Sequence, residues 1–265
     1  MRINMTVTTN LREVQTTRYI TPLREGGSLP AIVEADDGFL YVLKFRGAGQ
    51  GVKALIADLI GTETARVLGL KVPELVLAHL DEAFGRTEPD EEIQDLLKKS
   101  KGINLGVHYL SGSISFDPSV DKLDPMLASS VVWLDALLTN IDRTVKNTNM
   151  LMWNRELWLI DFGASLYFHH SWDNWEQHAM QPFANISSHV LLAQAGKLEE
   201  VDKAFSKILK PGVINDIISL IPDNWLVDNG SPREMRQVYN EFLNQRIALS
   251  HVFLNEAQNA RTALI

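Results

Sequence analysis

The sequence predicts an α+β fold in two lobes, a small β-rich N-terminal lobe over residues 1–110 and a mainly helical C-terminal lobe over residues 111–265. Two observations carry this. Before residue 111 short β-rich runs are separated by tight-turn signals, whereas beyond it apolar residues recur at helical spacing in longer segments. The N-terminal lobe reads as a five-stranded antiparallel sheet with one key helix. Val14 to Ile20 is extended, Arg24 to Ser28 is a turn, and Ala31 to Ala35 is a second strand. Asp36-Asp37-Gly38 is a hairpin signal, and Phe39 to Phe45 is a third strand. After a loop containing Gly47, Gly49 and Gly51, a helix is expected from Lys53 to Leu68. Ile56, Ile60 and Val67 form its apolar stripe, and Gly69 is its C-cap. Gly61 inside it costs about 1 kcal/mol relative to alanine, which points to close packing there.

Leu75 to Leu80 and Ile103 to Leu110 supply the fourth and fifth strands, with a charged helix from Pro89 to Lys101 between them. In the second lobe Leu127, Val131, Leu134 and Leu138 mark one face of a buried helix. Met150 to Trp153 and Leu157 to Ile160 flank Asn154-Arg155-Glu156 as a hairpin. Helical patterns then run over 190–198, 201–209, 213–221 and 233–257, punctuated by Pro211, Pro222 and Pro232.

Composition narrows the function. A net charge of −8 argues against a dedicated nucleic-acid binder, which needs a basic face to replace phosphate counterions. The chain contains no cysteine, so disulfides, thiolate zinc sites and cysteine nucleophiles are excluded. Met1 to Thr6 lacks the apolar core of a signal peptide, and no run is long enough to span a bilayer. A cytoplasmic protein with no membrane partner is expected.

The chemistry gathers in the middle of the chain. Asp142 is followed five residues later by Asn147, and the hairpin then returns the chain to Asp161 in Asp161-Phe162-Gly163. That is the layout of a kinase-type phosphotransferase: one carboxylate orients the hydroxyl to be phosphorylated, while an amide and a second carboxylate hold magnesium on the ATP phosphates. Hard oxygen ligands of this kind suit Mg²⁺. Alone, Asp142 and Asn147 are ordinary turn-capping residues. As an ordered set they predict a bilobal protein-kinase-like fold with ATP and Mg²⁺ as cofactors. Lys44, at the end of Tyr41-Val42-Leu43-Lys44, can bring its ammonium to the α- and β-phosphates; taken alone, an edge-strand lysine is the commoner reading. It needs a carboxylate on the following helix, and Asp58 and Glu63 both qualify. Gly26, Gly27 and Ser28 could cover the phosphates with backbone amides, although no Walker A sequence is present. Tyr109 and Leu110, where the fifth strand reaches the lobe boundary, complete the expected nucleotide site.

At these residues the chain resembles the HipA-like kinases, bacterial serine/threonine kinases related in fold to the phosphatidylinositol 3- and 4-kinases. The resemblance extends through about Leu226 and includes Gly26-Gly27-Ser28, Tyr41 to Phe45, Arg66 to Glu74, Asn140 to Arg143, Asn147 to Asn149, and Ile221 to Leu226. It implies that Asp142 is the catalytic base, that Asn147 and Asp161 are metal ligands, and that Lys44 is the phosphate lysine. It selects Asp58 over Glu63 as the partner on an αC-like helix. The family more often has a glutamate there, so the shorter aspartate implies a strained or water-bridged pair. The resemblance further implies a protein substrate, a regulator or antitoxin as partner, and Ser28 as the matching autophosphorylation position. Alternatives are a small-molecule or lipid kinase on the same fold, or a nucleotide-binding pseudokinase that acts as a partner-binding module. Retention of Lys44, Asp142, Asn147 and Asp161 argues against the last. His169, His170 and His178 match no zinc spacing and read as solvated residues of a substrate loop, while Trp172 and Trp175 read as packing residues.

Overall fold

The computed structural model describes residues 10–23, 29–81, 84 and 90–265. Strands β1 (Arg12–Pro22), β2 (Ala31–Ala35) and β3 (Leu40–Lys44) are followed by helix α1 (Gly51–Val67), strand β4 (Leu75–Leu80), helix α2 (Glu91–Lys99) and strand β5 (Gly102–His108). Strict alternation sets the inward face of β2 and β3: Ala31, Val33, Ala35, Tyr41 and Leu43 are buried while their neighbours are partly exposed.

The sheet differs from the purely antiparallel one expected. It closes into a barrel of order β1-β2-β3-β5-β4, because the long β1 pairs antiparallel with β2 and, through Arg12 to Gln15, parallel with β4. Register shifts between Thr16 and Arg18 and between Tyr19 and Thr21 bend β1 across the two partners. Closure removes the free edges. β3 lies between β2 and β5, so Lys44 is not an edge lysine.

Helix α1 ends as its sequence predicts. Gly69, at φ +79°, follows the C-cap Leu68; its N–H donates to the Arg66 carbonyl and that of Leu70 to the Ala65 carbonyl, a Schellman closure. Instead of a single apolar stripe, Leu55 to Ala65 are buried without interruption. The helix is wedged between β5 and the C-terminal helices, so every face meets protein. Gly61 is the tightest point: a Cβ there would lie 2.5 Å from the side chain of Phe162. Gly61→Val is therefore expected to lower stability by about 1–3 kcal/mol through overpacking, outweighing its better helix propensity. A urea midpoint equal to wild type would show that Phe162 moves aside at no cost.

Beyond the barrel, β6 (Ile114–Ser115) leads into helix α3 (Pro125–Leu138), and the strands β7 (Met150–Trp153) and β8 (Glu156–Leu159) form the expected hairpin with β6 added at its edge. Asp124 caps α3 by accepting from the N–H groups of Met126 and Leu127, and Pro125 occupies the first turn. Residues Ala128 to Leu138 are all buried, making α3 the central helix. The β7–β8 turn has positive φ at both Asn154 and Arg155, the signature of a type I′ hairpin.

The remaining helices are α4 (Trp175–Met180), α5 (Leu198–Ile208), α6 (Pro211–Ser219), α7 (Pro232–Ala248) and α8 (Ser250–Leu264). Two expectations fail here. Residues 190–198 hold only a short 3₁₀ turn at Leu192–Gln194, and the continuous helix expected over 233–257 is broken at Leu249. Neither glycine nor proline marks that break. It follows from packing, since α7 lies on α4 and α6 while α8 lies on α3 and α5. Arg246 of α7 is buried and donates to the carbonyls of Ala136 and Leu137 at the end of α3 and of Gln181 after α4, which ties the three helices together.

Two hydrophobic cores result. One fills the barrel, around Val33, Tyr41 and Leu43, and the other runs from α1 through α3 to α8. Among the described residues no helix is long and apolar enough to cross a membrane.

Candidate active site

The end of β3 places Lys44 over α1. Its ammonium contacts the Asp58 carboxylate directly and donates to Asp161 Oδ1 at 2.7 Å. The pair is thus direct, despite the shorter aspartate. Glu63 is turned to Arg66, 3.1 Å away, and takes no part. The second oxygen of Asp58 accepts from the Phe162 backbone N–H at 2.7 Å, so one buried carboxylate joins the lysine to the Asp-Phe-Gly backbone. Burial disfavours the Lys44 ammonium, but the charges of Asp161 and Asp58 outweigh that and raise its pKa. Burial, reinforced by the Asp161 charge, pushes Asp58 above the ordinary carboxylate value. Asp161 is also disfavoured by partial burial, yet Lys44 holds it below that value. Its backbone has φ +53°, a left-handed conformation that aspartate tolerates better than most residues and that turns the chain sharply after β8.

The loop after α3 carries Asp142. Thr139, at φ +55°, ends the helix and reverses the chain. Asp142 Oδ2 accepts from Asn147 Nδ2 at 2.8 Å and from Asn149 Nδ2 at 3.3 Å. With its side-chain nitrogen committed, Asn147 has its side-chain oxygen Oδ1 left as an acceptor. Beneath the loop lies a polar knot that the sequence reading missed. Asp135 of α3, fully buried, accepts from Arg143 Nε at 2.5 Å, from Asn140 Nδ2 at 2.9 Å and from His189 Nε2 at 2.9 Å. His189 Nδ1 accepts from the Leu191 N–H, which puts the ring proton on Nε2. Burial opposes charge on Asp135, but Arg143 and His189 hold it below the usual carboxylate range. Arg143 also donates to the Asn149 carbonyl and lies 4.8 Å from the Phe162 ring centroid. A charged residue amid the leucines and alanines of α3 is the one signal that could have flagged Asp135; nothing local marks His189.

Lys44, Asp58, Tyr109, Leu110, Asp142, Asn147 and Asp161 all line one cleft of about 810 Å³. Gly26, Gly27 and Ser28 lie outside the described residues. The donor set fits a magnesium–nucleotide: one Asp161 oxygen is bound to Lys44 while its side chain stays 45% exposed, and Asn147, whose side-chain oxygen is not used in the bond to Asp142, lines the same cleft. Mg²⁺ in such sites takes few protein oxygens and completes its shell with phosphates and water. The histidines after Gly163 differ from expectation. His169 is buried, with Nδ1 3.2 Å from the Tyr239 hydroxyl, and burial pushes its pKa down to about 3. Only its neighbour His170 is exposed. Among the described residues no cluster of His, Asp and Glu could hold a metal by itself. Trp172 packs edge-on against Tyr239 and joins the core, as expected.

A family model described as HipA-like kinase matches residues 17–254. No match was found among curated proteins. In structure the chain is similar to the Helicobacter pylori proinflammatory kinase CtkA, with a TM-score of 0.59 and 14% identity over 94% of this chain and 99% of that one. At that identity the likeness is one of fold, and the fold is kinase-like.

Proposed function

The chain belongs to the HipA-like kinase family, and from that premise we propose that it is an ATP- and Mg²⁺-dependent protein kinase that phosphorylates serine or threonine. The observation that carries the reading is the convergence on one cleft of the Lys44–Asp58–Asp161 ion cluster and the Asp142–Asn147 pair. In this reading residues 1–110 form the N-terminal lobe and residues 111–265 the C-terminal lobe, with the cleft between them.

Each side chain then has a task. Lys44, held in place by Asp58, meets the α- and β-phosphates, while Tyr109 and Leu110 border the nucleotide. Asp161 and Asn147 supply the oxygens for magnesium, which when bound neutralises charge on the phosphates. Asp142 orients the substrate hydroxyl and receives its proton as the oxygen attacks the γ-phosphorus and the bond to ADP breaks. Asn147 and Asn149 fix the Asp142 carboxylate by hydrogen bonds. The protein substrate meets the cytoplasmic chain along the segment from Leu166 to Ser188.

Nucleotide binding tests the premise of this reading. At ATP·Mg²⁺ near 100 times Kd, the wild type is expected to gain about 2.7 kcal/mol, a rise in Tm of about 5–10 °C for a chain of this size. Asp161→Ala is expected to gain far less. Absence of any thermal shift with nucleotide would sink the assignment. Phosphosite mass spectrometry of cells expressing the protein then identifies the substrate, and labelling confined to small molecules or lipids would overturn its protein-kinase part.

A further inference from the structure

The run from Ile221 to Leu226 has no task in the reading above. It holds a 3₁₀ turn, Asp223–Trp225, that rests on α1. Arg236 of α7 fixes the turn from one side, donating to the Ile221 carbonyl and pairing with Asp223 at 2.6 Å. From the turn, two bonds cross to the barrel. Trp225, fully buried, donates its Nε1–H to the Ile103 carbonyl of β5 at 3.1 Å, and Arg46 donates to the Asn224 carbonyl at 3.4 Å. None of these four residues lines the cleft.

Both barrel ends of this junction lie close to Lys44 in the ladder. Arg46 follows Lys44 by two residues, and Ile103 precedes by two residues Leu105, the partner of Lys44 across β3 and β5. Asn104 joins the two ends. It is buried, accepts from the Arg46 backbone N–H at 2.9 Å and donates to the carbonyls of Ser100 and Gly102. Inside the cleft the barrel is tied to Asp161 through the Lys44 ammonium, a contact for which the phosphates of a bound nucleotide compete. The junction at Trp225 is independent of that exchange. A buried tryptophan needs an acceptor for its N–H, but filling a core does not require that the acceptor sit on the strand that pairs with Lys44.

We propose that Trp225 is a positioning residue: its indole N–H pins the start of β5 to the helical part of the chain and so fixes the tilt of the barrel at which Lys44 stands against Asp58. The inference rests on the phosphotransferase reading for its effect on nucleotide binding. Such an effect is not small, because displacing a reacting or binding group by about 1 Å from a remote site can cost about 10²-fold.

The chain has no cysteine of its own, so spin labels can be placed at Gln15→Cys in β1 and Asn255→Cys in α8, both exposed positions. Electron–electron double resonance between the labels reads the tilt of the barrel, and calorimetry with Mg²⁺ and β,γ-imido-ATP reads the nucleotide site. Trp225→Phe keeps most of the buried ring and loses the donor. It is expected to broaden the label-to-label distance distribution in the absence of nucleotide and to weaken nucleotide affinity about five- to tenfold, the scale of one hydrogen bond. Saturating nucleotide is expected to restore the narrow distribution. Arg46→Met, which loses the neighbouring bond to Asn224, is read in the same way and decides the matter if Trp225→Phe does not fold. An unchanged distribution overturns the proposal whether or not affinity falls, since the tryptophan then acts by packing alone. A broader distribution with unchanged affinity overturns it too, because the tilt would not reach Lys44. A wild type that binds no nucleotide removes the phosphotransferase reading, and with it the role assigned to Trp225 through Lys44, even where the distribution responds.

Discussion

Asp142→Asn is expected to lower γ-phosphate transfer by about 10²- to 10⁴-fold, the usual contribution of a positioned general base, and to leave nucleotide affinity nearly unchanged. The asparagine is chosen because its carbonyl oxygen can still accept from Asn147 Nδ2 and Asn149 Nδ2, the two hydrogen bonds that Asp142 Oδ2 accepts in the native loop. The loop then keeps its shape, and the variant isolates the loss of the proton acceptor. Asp142→Ala removes both functions and is expected to be at least as inactive, with looser metal binding through the released Asn147. Radiolabelled transfer measured under single-turnover conditions, beside calorimetric nucleotide titration, separates the two effects. Labelling by Asp142→Asn at the wild-type rate would show that Asp142 is not the base.

The second large effect is expected away from the cleft. Asp135→Ala leaves the fully buried guanidinium of Arg143 without its carboxylate and takes an acceptor from Asn140 and His189. Breaking a buried pair by removing one partner costs about 3–5 kcal/mol, a large share of the 5–15 kcal/mol that stabilises a typical domain. The urea midpoint should fall accordingly. The sign of the pH dependence follows from the direction of the shift. Asp135 has a folded pKa below its unfolded value of about 3.9. Its contribution is complete above that value and is lost as pH falls through the folded pKa, so the variant should show a flatter acid limb than the wild type. An unfolding free energy within about 1 kcal/mol of wild type would mean that the knot is not what holds the loop that carries Asp142.

Much of this arrangement is legible in local sequence. The strands β2 and β3, Gly69 closing α1, and the β7–β8 hairpin are all encoded within a few residues and appear where expected, with Glu156 of the expected turn falling in β8. Lys44, Asp142, Asn147 and Asp161 stood out as an ordered set, the family resemblance chose Asp58 over Glu63, and the structure brings all five to one cleft. What escaped is non-local. Pairing of Arg12 with Val76 closes the barrel across more than sixty residues, and no short window carries that information. The break at Leu249 is imposed by the different partners of α7 and α8, and the burial of His169 by Phe168 and Tyr239 around it. Asp135 and His189 lie 54 positions apart and mean nothing singly.

The tight seating of α1 restricts how such an enzyme can be switched off. In a kinase whose regulatory helix rests on the small lobe alone, tilting that helix outward separates lysine from carboxylate at little cost. Here the residues from Leu55 to Ala65 belong to the larger core, and Gly61 is interlocked with Phe162. Tilting α1 would strip that surface from its packing and eject the phenylalanine. Asp58 is accordingly a fixed post in the larger core, whereas Lys44 stands on a strand of the barrel. Separating Lys44 from Asp58 therefore costs least where the barrel moves and the helix does not, so a ligand that held the two apart would be sought on the barrel or in the cleft and not behind the helix.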